Sequence, residues 1–442
     1  MIKNLVELYG RQIDETMIDS KLLKSSLIKR YFPIEVHNNH IHCKRCGQDS
    51  NKINAELPND NYYCPICINL GRVTFKKQLC YLDEPNNFKR SNPILTWKGQ
   101  LTNLQNDCSR DIIKVFNQNK KHLLWAVTGA GKTEMLFKGI AEAIKQNKRI
   151  CIASPRVDVC NELFPRIQAA LKNTDMILLH GRQDEEYRYT QITVCTTHQL
   201  LRFYRAFDVL IIDEVDSFPY VSDAGLHFAA QNACKINSSL LYLTATPSED
   251  LIKLVKYNEL NISYLPLRFH QHLLPEINNK LIGNWRLRIN KQKLPFKLLN
   301  LINNKINSNQ RFLLFVPRVK DLGPLSDLLK IKFNHKLWET VHSTDDKRIE
   351  KVQKMRDEKV LFLITTTILE RGVTFPGIDV IVLGAEDNIF STSALVQIAG
   401  RVGRKNDRPF GEVTFLINYY TKTIKKAVKQ IKYMNKLGQK LL

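Results

Sequence analysis

"HLLWAVTGAGKTEM", residues 122–135, decides the fold. Its first half is an apolar run of strand length. Its second half sets Gly129 and Gly131 directly ahead of Lys132, Thr133 and a helical pattern. Glycine loses more backbone freedom on folding than any other residue, so an ordered turn of this composition needs an offsetting gain, which a bound anion supplies. Strand, glycine turn and helix start make a phosphate loop. Its backbone N–H groups and the positive helix end hold phosphate oxygens, Lys132 reaches the outer phosphates, and the Thr133 hydroxyl holds Mg²⁺. The nucleotide-binding candidates are Thr128, Gly129, Ala130, Gly131, Lys132 and Thr133, with Ala126 where such loops take Ala or Gly.

Around this stretch, from about residue 94, short apolar runs alternate with helical patterns: "RICIAS" (149–154), "MILLH" (176–180), "ITVCTT" (192–197), "VLIIDE" (209–214) and "LLYLTAT" (240–246). Runs of this kind are buried strands of parallel sheets with helices on both faces. After an irregular segment the alternation restarts with "RFLLFV" (311–316), "KVLFLITT" (359–366), "DVIVLG" (379–384) and "GEVTFLI" (411–417). The expected organisation is α/β: an ATP-binding domain over 94–262, a linker over 263–295, and a second domain over 296–442 with a basic terminal helix. That helix either packs on the second domain or also touches nucleic acid.

"VLIIDEVD" (209–216) ends a core strand on two carboxylates, which packing does not ask for. Asp213 would hold Mg²⁺ and Glu214 would orient the attacking water. Upstream, Gln105 would read an adenine edge, with Thr102 beside it and Phe88 or Trp97 near the base. Downstream, the hydroxyls of Thr244 and Thr246 would link the acidic motif to movement of the second domain.

Four of the ten cysteines make C-x2-C-x17-C-x2-C: Cys43, Cys46, Cys64 and Cys67. Four thiolates close a tetrahedron and leave no open position, so a structural Zn²⁺ in a ribbon over 36–80 is expected. His37, His40 and His42 are surplus to that site. Lys44, Arg45, Tyr62 and Tyr63 would grip DNA or dock a partner, two readings the sequence leaves open. Residues 1–35 carry helical spacing. The ribbon is expected to fold apart from the ATP site, and the other six cysteines to be core or free thiols.

Lys and Arg outnumber Asp and Glu by 66 to 43 in 442 residues, a formal charge of +23, as suits work on a polyanion. No apolar run reaches the ~18 residues of a membrane helix. The N-terminus lacks the apolar length of a secretory signal, and a cytoplasmic protein is expected.

In order and spacing, Gln105, the phosphate loop, "SPR" (154–156), "TTHQLL" (196–201), "DEVD" (213–216), "TAT" (244–246), "LLFVPRV" (313–319), "TTTILERGVTFP" (365–376) and "QIAGRVGR" (397–404) resemble the superfamily 2 helicases and translocases of the DEAD-box-like type. The resemblance implies two tandem RecA-like parallel-sheet domains behind the zinc ribbon. It implies that Gln397, Arg401 and Arg404 serve hydrolysis, Arg404 as a finger donated across a cleft, and that Gly372 lies at the nucleotide. Strand contacts would come from Ser154, Pro155, Arg156, Thr196, Thr197, Thr366, Thr367 and Arg371; for Arg156 an ion pair is an equal reading.

The four-cysteine module, "DEVDSFPY" (213–220) and "RFHQHLLPE" (268–276) narrow the resemblance to the late competence ATPases of DNA uptake. That implies translocation of single-stranded DNA and other competence proteins as partners, namely a membrane channel and a phosphoribosyltransferase-like protein. A peripheral place at the inner membrane face and possible homo-oligomers also follow. A replication-restart or repair helicase of the PriA or RecG type, an RNA helicase, and a regulatory ATPase that clamps nucleic acid without moving are the competing readings.

Overall fold

The computed structural model describes residues 1–181, 186–371, 373, 375–404 and 408–442. Met1–Trp125 and Lys132–Tyr264 form one compact unit; Ala126–Gly131 and Leu265–Leu442 form a second.

The first unit opens with short strands: β1 (Ile13–Asp14), β2 (Lys29–Tyr31), β3 (Ile34–Val36), β4 (His40–Cys43), β5 (Gln48–Asn51), β6 (Glu56–Leu57), β7 (Asn61–Tyr62) and β8 (Leu79–Tyr81). They pair antiparallel as β1-β8-β2, β3-β4-β5 and β6-β7. Residues 1–35 are not helical as expected. Beside their strands they hold 3-10 turns and one four-residue α-helix, Ser20–Leu23. The side chains of Asn4, Asp14 and Asp19 each accept the N–H two residues on, which favours turns over continued helix. Of the spaced residues Leu5, Leu8, Ile13, Met17, Leu22 and Leu27, only Leu8 is buried and Met17 and Leu27 are exposed; the small core is instead Ile2, Leu8, Ile18 and Ile28 packed with Cys80 and Leu82.

A seven-stranded sheet follows, built from β9 (Lys121–Ala126), β10 (Ile150–Ser154), β11 (Met176–Leu179), β12 (Ile192–Thr196), β13 (Phe207–Asp213), β14 (Cys234–Thr244) and β15 (Asn261–Leu265). The order is β11-β12-β10-β13-β14-β9-β15. The five pairings from β11 to β9 are parallel. The carboxyl ends of β9, β10, β12, β13 and β14 therefore lie along one edge of the sheet, where open α/β sheets bind ligands.

The four-cysteine segment does not fold apart from this sheet. Ile34, Ile41, the four cysteines, Ala55 and Val73 share one apolar core with Leu200, Leu201, Phe203, Phe207 and Leu226. Arg149, fully buried at the start of β10, sews the N-terminal strands to the sheet. Its guanidinium donates to the carbonyls of Tyr9 (3.1 Å) and Thr190 (3.2 Å) and to the Tyr187 hydroxyl (2.9 Å).

The second unit carries a six-stranded sheet of β16 (Ile277–Leu281), β17 (Phe312–Phe315), β18 (Trp338–Val341), β19 (Phe362–Thr365), β20 (Asp379–Leu383) and β21 (Val413–Ile417). Its order is β16-β21-β20-β17-β19-β18, parallel throughout. The expected linker 263–295 is partly built into it. β16 is an edge strand, and Trp285 and Ile289 of the helix Trp285–Asn290 enter the core. The terminal helix Lys422–Gln439 buries Ile424, Ala427, Ile431 and Met434 and leaves its lysines exposed. Among the described residues no helix is long and apolar enough to cross a membrane.

His122 on β9 is buried, with its Nε2 3.0 Å from the Ser263 hydroxyl, which donates to Asp111. Nε2 is therefore the protonated nitrogen, and the buried Nδ1 has no partner. Burial pushes its pKa down from 6.5 to about 4. The unfolded chain binds the proton more readily, so the stability from a neutral His122 is complete above pH 6.5 and is lost as pH falls towards 4, a span worth about 3 kcal/mol. In denaturant titrations of the wild type and His122→Asn, the wild type should lose more stability between pH 6.5 and 4; equal slopes would contradict this.

Candidate functional site

The turn between β9 and the helix Lys132–Lys145 holds Gly129 and Gly131 at φ +78° and +72°. Both angles favour glycine, and they accompany an N–H of Ala130 donating to the Val127 carbonyl at 3.3 Å. Thr128 and Thr133 are buried. Lys132 Nζ lies 3.3 Å from Asp213 Oδ1. Burial works against the Lys132 charge, but Asp213, Glu214 and Asp216 outweigh it and raise its pKa. Burial lifts the Asp213 carboxyl, opposed by Lys132. A half-buried ammonium beside the buried Asp213 carboxylate offers groups for phosphate oxygens and a divalent cation.

Glu214 sits at φ +55°, a left-handed conformation costing a non-glycine residue about 1 kcal/mol, with its N–H on Asp213 Oδ1 at 2.9 Å. Such strain collects at functional positions. Asp216 is committed elsewhere: it accepts the hydroxyls of Thr244 at 2.6 Å and Thr246 at 2.5 Å. These hydroxyls therefore meet the acidic motif directly. Gln105 is engaged in a capping box, its Oε1 accepting the Thr102 N–H at 2.9 Å while Thr102 Oγ1 accepts its N–H. Trp97 packs on Phe137 and Phe88 stacks on Tyr189.

In the second unit, Gln397 and Arg401 are buried and Arg404 half-buried. Arg401 donates to the Val373 carbonyl, and Arg404 Nε to the Gly400 carbonyl at 3.1 Å. Gly372 lies outside the described residues. Sequence reasoning passed over Arg268. It is buried, and it donates to the carbonyls of Val402 and, at 3.2 Å, Gly400, fixing the turn that carries both arginines. Burial, and then the charge of Arg404, pushes its pKa down to about 9. A basic residue in the "RFHQHLLPE" stretch was the available signal.

Of the strand-contact candidates, Ser154, Pro155, Thr196, Thr197, Thr366 and Arg371 are buried; Arg156 and Thr367 are half-buried. Arg156 faces Asp158 at 3.8 Å, and Arg371 donates to the Ser393 hydroxyl at 2.8 Å. Among the described residues the hydroxyls of Ser154 and Thr197 have no hydrogen-bond partner.

The four cysteine sulfurs are buried and lie within 4.8 Å of one another. Sγ–Sγ is 4.0 Å for Cys43–Cys67 and 3.7 Å for Cys46–Cys64. Four thiolates at about 2.3 Å from one zinc are about 3.8 Å apart, so the cluster fits that ion. Cys43 ends β4; Gly47, at φ +65°, turns the first knuckle and donates its N–H to the Cys43 carbonyl at 2.7 Å. His42 pairs with Asp49 and His37 stacks on His40, outside the cluster. Arg45 is buried and does not face solvent as a DNA grip would. Lys52 lies over the Tyr62 ring, which packs on Phe75. Of the remaining cysteines, five are buried and Cys234 is half-buried, all reduced.

Three family models match the chain: the Competence protein ComFA N-terminal domain over 8–81, the Type III restriction enzyme, res subunit, over 98–249, and the Helicase conserved C-terminal domain over 293–406. Competence protein ComFA of Bacillus subtilis (strain 168) is 40% identical over 422 residues, 95% of this chain and 91% of that protein. The chain belongs to the ComFA family. ComFA of Streptococcus pneumoniae is 40% identical over 89% of this chain and 90% of its own. The ATP-dependent DNA helicase RecG of S. pneumoniae is 21% identical over 76% of this chain and 53% of its own. A structure of S. cerevisiae Dbp5 bound to RNA and ADP BeF3 superposes with a TM-score of 0.53 at 15% identity, over 76% of this chain and 88% of that one. That likeness is one of fold: two RecA-like parallel-sheet domains. The ComFA and helicase matches make the chain a competence-associated helicase-type ATPase, and its helicase domains imply ATP with Mg²⁺ and a nucleic acid.

Because the knuckles share their core with the ATP-binding sheet, metal loss should not stay local. Chelator treatment should lower the melting temperature of the first unit by several degrees, with sheet and knuckle signals moving together. A sheet transition that stays in place while zinc is lost would contradict the shared core.

Proposed function

We propose that this chain is an ATP-driven translocase of single-stranded DNA that draws transforming DNA into the cytoplasm during natural competence. The observation that carries the reading is 40% identity to ComFA over 95% of the chain, joined to a phosphate loop whose lysine faces a buried, strained acidic motif. The ATP-binding domain is placed at 94–262 and the second at 296–442, extended to take in β16. Zn²⁺ in the four-cysteine site is structural.

Roles follow from the chemistry of each group. Lys132 binds the outer phosphates, with the N–H groups of residues 128–131 around them. Thr133 and Asp213 hold the Mg²⁺, and Gln105 lies on the adenine side. Glu214 holds and polarises the attacking water. Arg404, with Arg401 and Gln397, balances charge that develops on the transferred phosphoryl. Ser154, Arg156, Thr196, Thr197, Thr366, Thr367 and Arg371 grip the sugar-phosphate backbone without reading bases. Partners are other competence proteins at the inner face of the membrane, among them a channel and a phosphoribosyltransferase-like protein.

Lys132→Ala and Glu214→Gln should both abolish turnover by different routes: the first weakens ATP binding, the second leaves ATP bound and its water poorly activated. Arg404→Ala should lower turnover by up to about 10³-fold with ATP affinity nearly intact. ATP affinity and turnover, measured with oligo-dT of increasing length and with RNA, check the assignment. A translocase turns over faster on longer DNA strands; turnover indifferent to strand length means a clamp, and a preference for RNA means an RNA helicase.

A further inference from the structure

Arg45 lies between Cys43 and Cys46, carries a charge, and is only 4% exposed. Its guanidinium is spread over three backbone carbonyls. Nη2 donates to Leu70 at 3.0 Å and Nη1 to Gly71 at 3.2 Å, both just past Cys67 in the second knuckle. Nε donates to Leu201 at 3.1 Å. Leu201 belongs to the turn Thr197–Arg202, which continues β12 directly after Thr196. A second donor, Gln12 Nε2, reaches the same Leu201 carbonyl at 2.9 Å and that of Phe203 at 3.2 Å, while the Gln12 N–H donates to Arg202 at 3.0 Å. The turn carries Thr197, whose buried hydroxyl has no hydrogen-bond partner among the described residues.

We propose that Arg45 is a positioning residue: it ties both metal-holding knuckles to the Leu201 carbonyl, so that metal occupancy and the placement of Thr196–Phe203 form one equilibrium. Four thiols within 4.8 Å of one another have little reason to stay gathered without a cation. If the knuckles part, Arg45 loses the Leu70 and Gly71 carbonyls and is left as a buried cation with one partner, a costly state relieved by leaving its seat. Leu201 then keeps Gln12 alone. A lysine could not substitute, because a point donor does not span three carbonyls. Where the turn grips nucleic acid, a step that rests on the function proposed above, linkage requires bound strand to retain zinc as zinc retains strand.

The test uses the intact chain, wild type and Arg45→Gln, whose four ligands are untouched. Both should contain one zinc per chain. Amide exchange at residues 197–203 should rise roughly tenfold or more when the wild type is stripped by chelator, and should already be raised in the zinc-loaded variant. Zinc release to a chromogenic chelator should slow several-fold when oligo-dT binds the wild type, and not in the variant. Wild-type exchange at 197–203 in a zinc-loaded Arg45→Gln protein would overturn the proposal. If that variant does not fold, Gln12→Ala, which leaves the Leu201 carbonyl to Arg45 alone, replaces it: a chelator-induced rise at 197–203 larger than the wild type's supports the proposal, and a rise no larger than the wild type's overturns it. If oligo-dT does not bind the wild type, the reading of the nucleic-acid site has failed, while the exchange measurement still decides the role of Arg45.

Discussion

The first unit depends on one continuous apolar core that runs from the four cysteines into the ATP-binding sheet. A segment of the size of 36–80 cannot bury enough surface to stand alone, which is why small modules need metals or a larger neighbour. Here the larger neighbour is provided, and the four gathered cysteines fit a zinc ion. Leu200, Leu201 and Phe203 fill the underside of the knuckles, and the Phe228 ring occupies the space where a side chain at Gly47 would fall. Around that core, buried arginines replace ordinary strand pairing. Arg149 and Arg45 each gather three partners distant in sequence, one on each guanidinium nitrogen.

Charge at the carboxyl edge of the sheet is unbalanced in a way that suits its chemistry. Lys132 faces three carboxylates, Asp213, Glu214 and Asp216. Two of these have protein partners that leave them in place as acceptors, and Asp216 is taken up by two threonine hydroxyls. An edge with more buried negative than positive charge gains from a divalent cation, and a nucleotide that arrives with it brings phosphate oxygens for Lys132 and the loop to hold. The left-handed Glu214 is held in place by the same set of contacts, so the strain falls on the residue nearest the proposed water.

The parallel sheets were legible because buried strands read as uninterrupted apolar runs, and the phosphate loop because its glycines take angles that other residues avoid. The cysteine spacing disclosed the metal site for the same local reason. What stayed hidden depended on contacts distant in sequence. Residues 1–35 look helical because Leu5, Leu8, Ile13, Met17, Leu22 and Leu27 recur at near-helical intervals, yet the capped turns bury Ile2, Ile18 and Ile28 beside Leu8 instead. Arg45 and Arg149 look like surface cations until Leu201, 156 residues away from the first, and Tyr9, 140 residues away from the second, come beside them. Gln105 reads as an adenine contact, while its oxygen is committed to a cap three residues back. Arg268 was concealed because its partners, Gly400 and Val402, lie more than a hundred residues downstream.

The claim on which most rests is that the cysteine module and the ATP-binding sheet are one folding unit. The direct measurement is to express residues 94–264 without the N-terminal segment and compare their unfolding with that of residues 1–264. Removal of residues 1–93 uncovers Leu200, Leu201 and Phe203 and takes the Tyr9 carbonyl from Arg149, so the shorter fragment should lack a cooperative transition and should not bind ATP. A fragment that unfolds cooperatively at the same denaturant concentration and binds ATP as the longer one does would contradict the account.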